Sequence, residues 1–409
     1  MEKIYKREDY LKKIRGFYND DMIKVVSGIR RCGKSFFLKS IIQELLNDGI
    51  QEKDIIYIEL DKRDYKDIKT SKQLEKILDE QILDDDFKYL FIDEIQNVKG
   101  FETLINSYRE EGNISIFVTG SNSYLLSGEL VTKLTGRYIE IEMMPLSFYE
   151  YIDMKKFLNK NINENIYLEF EEYIRNGGFP KSLYYDNYEE KILYTSSVIN
   201  QIFEKDIKTS NRINDKALFE IIEKFVVNNF GAVISIKSIY DYLKNTSKIN
   251  ADRRTIKKYL DILEKAKIIY SCDLFDIKSK SVLKGEKKYY LADLSIYYSL
   301  NTDNRINYGP VLENVIYSYL KSKNYKLSVG YIGKLECDFI ARANYDDYYY
   351  IQVSKDISNK DTEEREYKPF YMIKDLYPRY LFTMDMLLQK RDGINHLNIV
   401  NFIYNNKNL

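Results

Sequence analysis

Residues 28–35 read Gly28-Ile29-Arg30-Arg31-Cys32-Gly33-Lys34-Ser35, a match to G-x-x-x-x-G-K-[ST]. The apolar run Ile23-Lys24-Val25-Val26 precedes them, and the helical pattern Phe36-Phe37-Leu38-Lys39-Ser40-Ile41-Ile42 follows. This strand-to-helix setting is the one a phosphate-binding loop needs. Glycines let the loop turn tightly so that backbone N–H groups face a polyphosphate. Lys34 is expected to reach the β and γ phosphates, and the Ser35 hydroxyl to ligate Mg2+. Gly28, Ile29, Arg30, Arg31, Cys32, Gly33, Lys34, Ser35 and Phe36 are therefore the predicted nucleotide contacts, with ATP and Mg2+ as ligands.

Downstream, Tyr89-Leu90-Phe91-Ile92 ends in Asp93-Glu94, four hydrophobic residues followed by two carboxylates. Asp93 is expected to hold the Mg2+, usually through a water, and Glu94 to polarise the water that attacks the γ phosphate. A third strand, Ile116-Phe117-Val118, runs into Thr119-Gly120-Ser121-Asn122. Ser121 or Asn122 is placed there to contact the γ phosphate or the water, because the carboxyl ends of parallel strands line the ligand crevice. Arg137, in Thr135-Gly136-Arg137-Tyr138, is a further catalytic candidate, reaching a phosphate in its own or a neighbouring subunit. Arg30 and Arg31 can contact phosphate or a partner, or anchor the loop to its domain.

Strand-like runs at 54–60, 88–93, 114–119 and 137–141, with the strand before the loop, predict a five-stranded parallel sheet covered by helices. The chain as a whole is expected to be α/β and multidomain. Residues 1–147 form the P-loop domain, 148–210 a helical lid or linker, 211–300 a winged helix, and 301–409 a nuclease-like α/β domain.

Several motifs in order carry a resemblance: the loop itself, Phe91-Ile92-Asp93-Glu94-Ile95-Gln96, Thr119-Gly120-Ser121, Gly136-Arg137, Pro145-Leu146-Ser147-Phe148, Gly177-Gly178-Phe179-Pro180 and Glu204-Lys205-Asp206-Ile207. Together they resemble prokaryotic AAA-type ATPases, similar to archaeal-type ATPases, that carry a DUF4143-like region at the C-terminus. The resemblance spans nearly the whole chain. It implies an ATPase of the catalytic-glutamate division with sheet order 5-1-4-3-2, and it supplies no substrate.

At 409 residues the chain has room for two to four domains. Lys plus Arg and Asp plus Glu balance at 63 each, so no global field draws the protein to nucleic acid or anionic lipid. Cys32, Cys272 and Cys337 form no C-x-x-C pair, which argues against a disulfide framework or a zinc site. No run of 18 apolar residues occurs, and Met1 to Glu8 lacks the apolar core of a signal peptide. The expectation is a cytoplasmic protein with no membrane contact. The 39 tyrosines, in a chain rich in Lys, Ile and Asn, reflect an AT-rich coding sequence more than chemistry.

The segment after Asn214 changes to helix, helix, helix and hairpin, the order of a winged helix. Arg253, Arg254, Lys257 and Lys258 open its third helix, where a recognition helix would meet DNA, and Lys278, Lys280, Lys284, Lys287 and Lys288 supply a candidate wing. In the last domain Glu313, Asp338, Gln352 and Ser354 are laid out as in a PD-(D/E)XK nuclease, with Gln-x-Ser in place of E-x-K. That substitution removes a metal-binding carboxylate and the water-activating lysine, so a degenerate site is expected. The leading reading is a Mg2+-dependent ATPase that couples nucleotide state to DNA or a protein partner, self-association included. The alternatives are an ATP-regulated DNA-processing nuclease and a nucleotide-gated binding module with little turnover.

Overall fold

A computed structural model describes residues 3–120, 134–208, 213–301, 305–343 and 347–409. The chain falls into two compact units, Met1–Met143 with Ile202–Ser210, and Met144–Gln201 with Asn211–Leu409.

The first unit is built on strands β1 (Ile23–Gly28), β2 (Ile55–Glu59), β3 (Lys88–Asp93), β4 (Ile114–Thr119) and β5 (Tyr138–Met143). They form one parallel sheet in the order β2-β3-β4-β1-β5, the order the resemblance implied. Every residue of β1, β3 and β4 is buried, which is why these strands are continuous apolar runs and not alternating ones. The edge strands β2 and β5 keep partly exposed positions. Helices α1 (Glu8–Ile14), α2 (Lys34–Asn47), α3 (Ser71–Gln81) and α4 (Phe101–Glu111) belong to this unit. Leu74, Leu78, Leu104 and Ile105 from α3 and α4 join Ile58, Leu90, Ile92 and Val118 in one core. Phe91 and Phe117 stack with ring centroids 4.6 Å apart.

One lysine lies inside this apolar frame. Lys24, in mid-β1, is fully buried, and its ammonium donates to Ser115 Oγ at 2.9 Å and to the Asp20 carbonyl. Burial pulls its pKa down to about 8.

In the second unit, α5 (Phe148–Phe157) starts at a capping box in which Ser147 and Glu150 satisfy each other's backbone N–H groups. Helices α6 (Ile166–Asn176) and α7 (Tyr188–Gln201) follow. The Gly177-Gly178 pair between them is required by close packing. A Cβ on Gly177, at φ 73°, would sit 1.8 Å from Asp293 Oδ1, and one on Gly178 would sit 2.2 Å from the Leu146 carbonyl oxygen. The fully buried Asp293 accepts the Gly178 N–H at 2.6 Å, so this motif is a backbone clamp.

Residues 216–291 form α8 (Lys216–Asn228), β6 (Val233–Ser235), α9 (Ile236–Asn245), α10 (Arg253–Lys265), β7 (Ile269–Asp276) and β8 (Ser281–Leu291). Then come α11 (Ser295–Leu300), α12 (Tyr308–Ser322), β9 (Lys326–Ile332), β10 (Leu335–Arg342), β11 (Tyr348–Val353) and α13 (Lys360–Met372). The unit closes with β12 (Arg379–Thr383), β13 (Lys390–Arg391), β14 (Ile394–Asn398) and α14 (Ile399–Tyr404). The strands make a single sheet, β13-β14-β12-β11-β10-β9-β7-β8-β6. Parallel pairing of β7 with β9 carries hydrogen bonds across the division expected near residue 300. Among the described residues no helix is long and apolar enough to cross a membrane.

Candidate functional site

The loop from Gly28 to Lys34 leaves the carboxyl end of β1 and feeds α2. Its shape depends on residues at positive φ: Gly28 at 142°, Arg31 at 69° and Gly33 at 107°. Gly28 cannot be replaced cheaply, since a Cβ there would meet the Met143 carbonyl oxygen at 2.3 Å and Cys32 Sγ at 2.9 Å. Lys34 is almost completely buried and folds back over the loop, donating to the carbonyls of Gly28 at 2.9 Å and Ile29 at 3.3 Å. Ile29 and Cys32 point into the core, and burial pushes the Cys32 thiol pKa up, so it is not a reactive sulfur. Phe36 is half exposed. Two arginines anchor the loop: Arg7 donates to the Cys32 carbonyl at 3.3 Å, and Arg30 is paired with Asp206. Neither Arg7 nor Asp206 was predictable as a partner, because local spacing carries no sign of contacts this far apart in sequence.

At the end of β3, Asp93 is buried, its carboxylate accepts from the Thr119 hydroxyl, and the Ser35 hydroxyl is near enough to favour its charge. Desolvation raises its pKa, with Glu94 pushing the same way and Ser35, Thr119 and Lys34 opposing. Glu94 adopts a left-handed backbone at φ 58°, unusual for a residue with a side chain. Its N–H donates to Thr119 Oγ1 at 3.1 Å, and its carboxylate accepts from the Gln96 amide. The sequence pattern had pointed past Thr119 to Ser121 and Asn122. Those two lie outside the described residues, and Thr119, the last residue of β4, is the group that organises both acids.

Arg137 is placed differently from its prediction within the chain. It precedes β5, its carbonyl accepts from Ile23 at the start of β1, and its guanidinium faces Glu110 at 3.7 Å. The loop is at the other end of β1, about 16 Å along the strand. Arg137 therefore does not join Lys34, Asp93 and Glu94 in its own chain.

In the second unit, Arg253, Arg254, Lys257 and Lys258 are exposed on the first turns of α10, whose N-cap Asp252 accepts from the Arg254 N–H at 3.3 Å. Lys278, Lys280 and Lys284 are exposed at the β7–β8 hairpin. Lys288, grouped with them on sequence, is instead buried: its ammonium bonds Glu313 at 3.0 Å and Glu336 at 2.5 Å. Glu313 also accepts from Tyr290 at 3.0 Å.

Asp338 lies beside this pair, accepting the Val353 N–H at 2.7 Å. Burial raises the pKa of both Glu313 and Asp338, and the Lys288 charge opposes that rise. Gln352 takes the Asp338 N–H at 2.7 Å on its amide oxygen and donates to Glu366 at 3.0 Å. Ser354 turns to the Asp356 carbonyl, at 3.2 Å. Of the four predicted residues, Glu313, Asp338 and Gln352 come together and Ser354 does not. Lys288, Glu336 and Glu366 complete the cluster and went unrecognised on sequence.

The parallel sheet with its loop after β1 and paired acids after β3 defines an α/β P-loop ATPase-type fold, and residues 20–152 match the family described as "AAA domain". The walker-type ATPase of Pyrococcus abyssi has a similar structure, with a TM-score of 0.51 over 72% of this chain and 95% of its own, at 16% identity. Residues 167–306 match "Domain of unknown function (DUF8612)", in place of the DUF4143-like region expected from the sequence. An uncharacterized protein of Haemophilus influenzae is 33% identical over 401 residues, 97% of this chain and 98% of its own length. An uncharacterized protein of Methanocaldococcus jannaschii is 30% identical over 368 residues, 87% and 79% of the two chains. The chain belongs to the family of these two proteins.

Proposed function

We propose that the protein binds ATP with Mg2+ at the β1–α2 loop and hydrolyses it. The observation that supports this most is the buried Asp93 carboxylate, bonded by the Thr119 hydroxyl with Ser35 nearby, whose ionisation the fold disfavours. That set of oxygen donors suits a small hard cation, which would offset the burial penalty. Ser35 and Asp93 would hold Mg2+, which when bound neutralises charge on the β and γ phosphates. The loop N–H groups and the α2 N-terminus receive phosphate oxygens. Lys34, already held over the loop, needs only to exchange carbonyl partners for phosphate oxygens. Glu94, aimed by its left-handed backbone and by Thr119, takes the proton of the attacking water as the bond to the γ phosphorus forms and the β–γ bridge breaks. Equilibrium binding of a fluorescent ATP analogue tests the assignment: Lys34→Ala is expected to weaken binding by about 100-fold or more. Equal affinity in the two proteins would overturn it.

For the second unit we propose a winged helix over residues 211–300 that contacts DNA phosphates. The exposed cluster Arg253, Arg254, Lys257 and Lys258, with Lys278, Lys280 and Lys284, supports this reading. Replacing Arg253 and Arg254 by Glu should weaken duplex binding and flatten its dependence on salt, measured by fluorescence anisotropy. An unchanged salt slope would remove the assignment.

A further inference from the structure

The motif Glu204-Lys205-Asp206-Ile207 is left without a role by the ATPase chemistry. Ile202–Ile207 is a π-helical turn, a rare form concentrated at functional sites, and it belongs to the first unit although the chain on both sides of 202–210 belongs to the second. Asp206 accepts from Arg30 Nε at 3.0 Å and from Arg30 Nη2 at 2.8 Å, across 176 positions of sequence. Both side chains are nearly buried, 9% exposed for Arg30 and 6% for Asp206. A forked, desolvated pair of this kind fixes direction as well as charge.

Arg30 sits inside the phosphate loop, so whatever fixes its side chain also fixes the loop. Burial opposes its charge, but Asp206, then Glu94 and Asp61, hold the guanidinium firmly protonated. Without the fork to Asp206 the guanidinium, and the loop backbone that carries it, would lose a fixed direction.

We infer that Asp206 is a positioning residue for ATP turnover: its forked hold on the Arg30 guanidinium fixes the phosphate loop in the shape that aligns the γ phosphate for attack. This rests on the ATPase reading above. It also makes the 202–207 turn the point at which the state of the loop is linked to the segment that follows α7. With the pair broken, the loop N–H groups, Lys34 and the acids are still present to hold nucleotide, whereas the alignment of the γ phosphate is lost, so the chemical step changes far more than binding.

Steady-state phosphate release by the full chain tests the inference. Asp206→Asn is expected to lower kcat by about tenfold or more with KM within about twofold of wild type, and Asp206→Glu to recover most of the loss. Arg30→Lys keeps the charge and loses the fork; it should show the same split, and it carries the test if Asp206→Asn does not fold. Wild-type turnover with kcat unchanged in both variants would overturn the inference alone, as would an equal change in KM. A wild-type protein that releases no phosphate beyond Glu94→Gln would overturn the ATPase reading, and the inference with it.

Discussion

The two units each set carboxylates near a buried ammonium, and they use the ammonium in opposite ways. At the phosphate loop, Lys34 gives hydrogen bonds to the carbonyls of Gly28 and Ile29, and Asp93 is left with hydroxyl partners and a raised pKa. In the second unit, Lys288 is bonded directly to Glu313 and Glu336, which hold it charged against the cost of burial. The first arrangement leaves charge for a cation to compensate. The second supplies its own, permanently, from β8. On the proposed readings this separates a centre arranged for turnover from one arranged to join β8, α12 and β10, a cost in stability against a gain.

Opposite signs of stability change follow. Lys288→Met leaves the partly buried Glu313 and Glu336 without their cation and is expected to destabilise the protein by about 3 kcal/mol in urea unfolding, with ATP turnover unchanged. A marked rise in the melting temperature of an Asp93→Asn variant, which lacks the loop's metal ligand, on adding Mn2+ would show that the Lys288 cluster still takes metal, and would erase the contrast.

Glu223 on α8 shows what a carboxylate of the second unit does without such an ammonium. Burial, and then Glu220, push its pKa up to about 7. A raised pKa in the folded state means that its contribution is fully present below about pH 4.5 and lost as pH rises through 7. Glu223→Gln should therefore stabilise the protein by about 1–3 kcal/mol at pH 8 and leave it unchanged at pH 4, read from denaturant midpoints.

Asp93→Asn should give the smallest shift, a gain of about 1 kcal/mol without nucleotide at pH 8, because a neutral amide escapes the burial penalty. Its Mg2+-dependent turnover is expected to vanish. A loss of stability of the size predicted for Lys288→Met would mean that Asp93 is a structural acid like Glu313.

The phosphate loop and the acids after β3 were legible in the sequence because their signals are local: an octapeptide between strand and helix, and two carboxylates closing an apolar run. The burial of β1, β3 and β4 was legible for the same reason. Asp206 was visible only as a motif, since its partner Arg30 lies 176 residues away. Lys288 was read with its neighbours as a wing residue, yet successive strand positions face opposite sides, and Lys287 and Lys288 separate accordingly into a half-exposed and a buried lysine. Arg137 carried a similar warning. It precedes its strand, whereas ligands of parallel sheets gather beyond the carboxyl ends.

Phosphate release from ATP, measured with and without Mg2+ for the wild type and for Glu94→Gln, tests most directly whether the loop and its paired acids form a working hydrolytic centre. Turnover that needs Mg2+ and falls by about 100-fold or more in Glu94→Gln is the expected result. Equal release by the two proteins would contradict it.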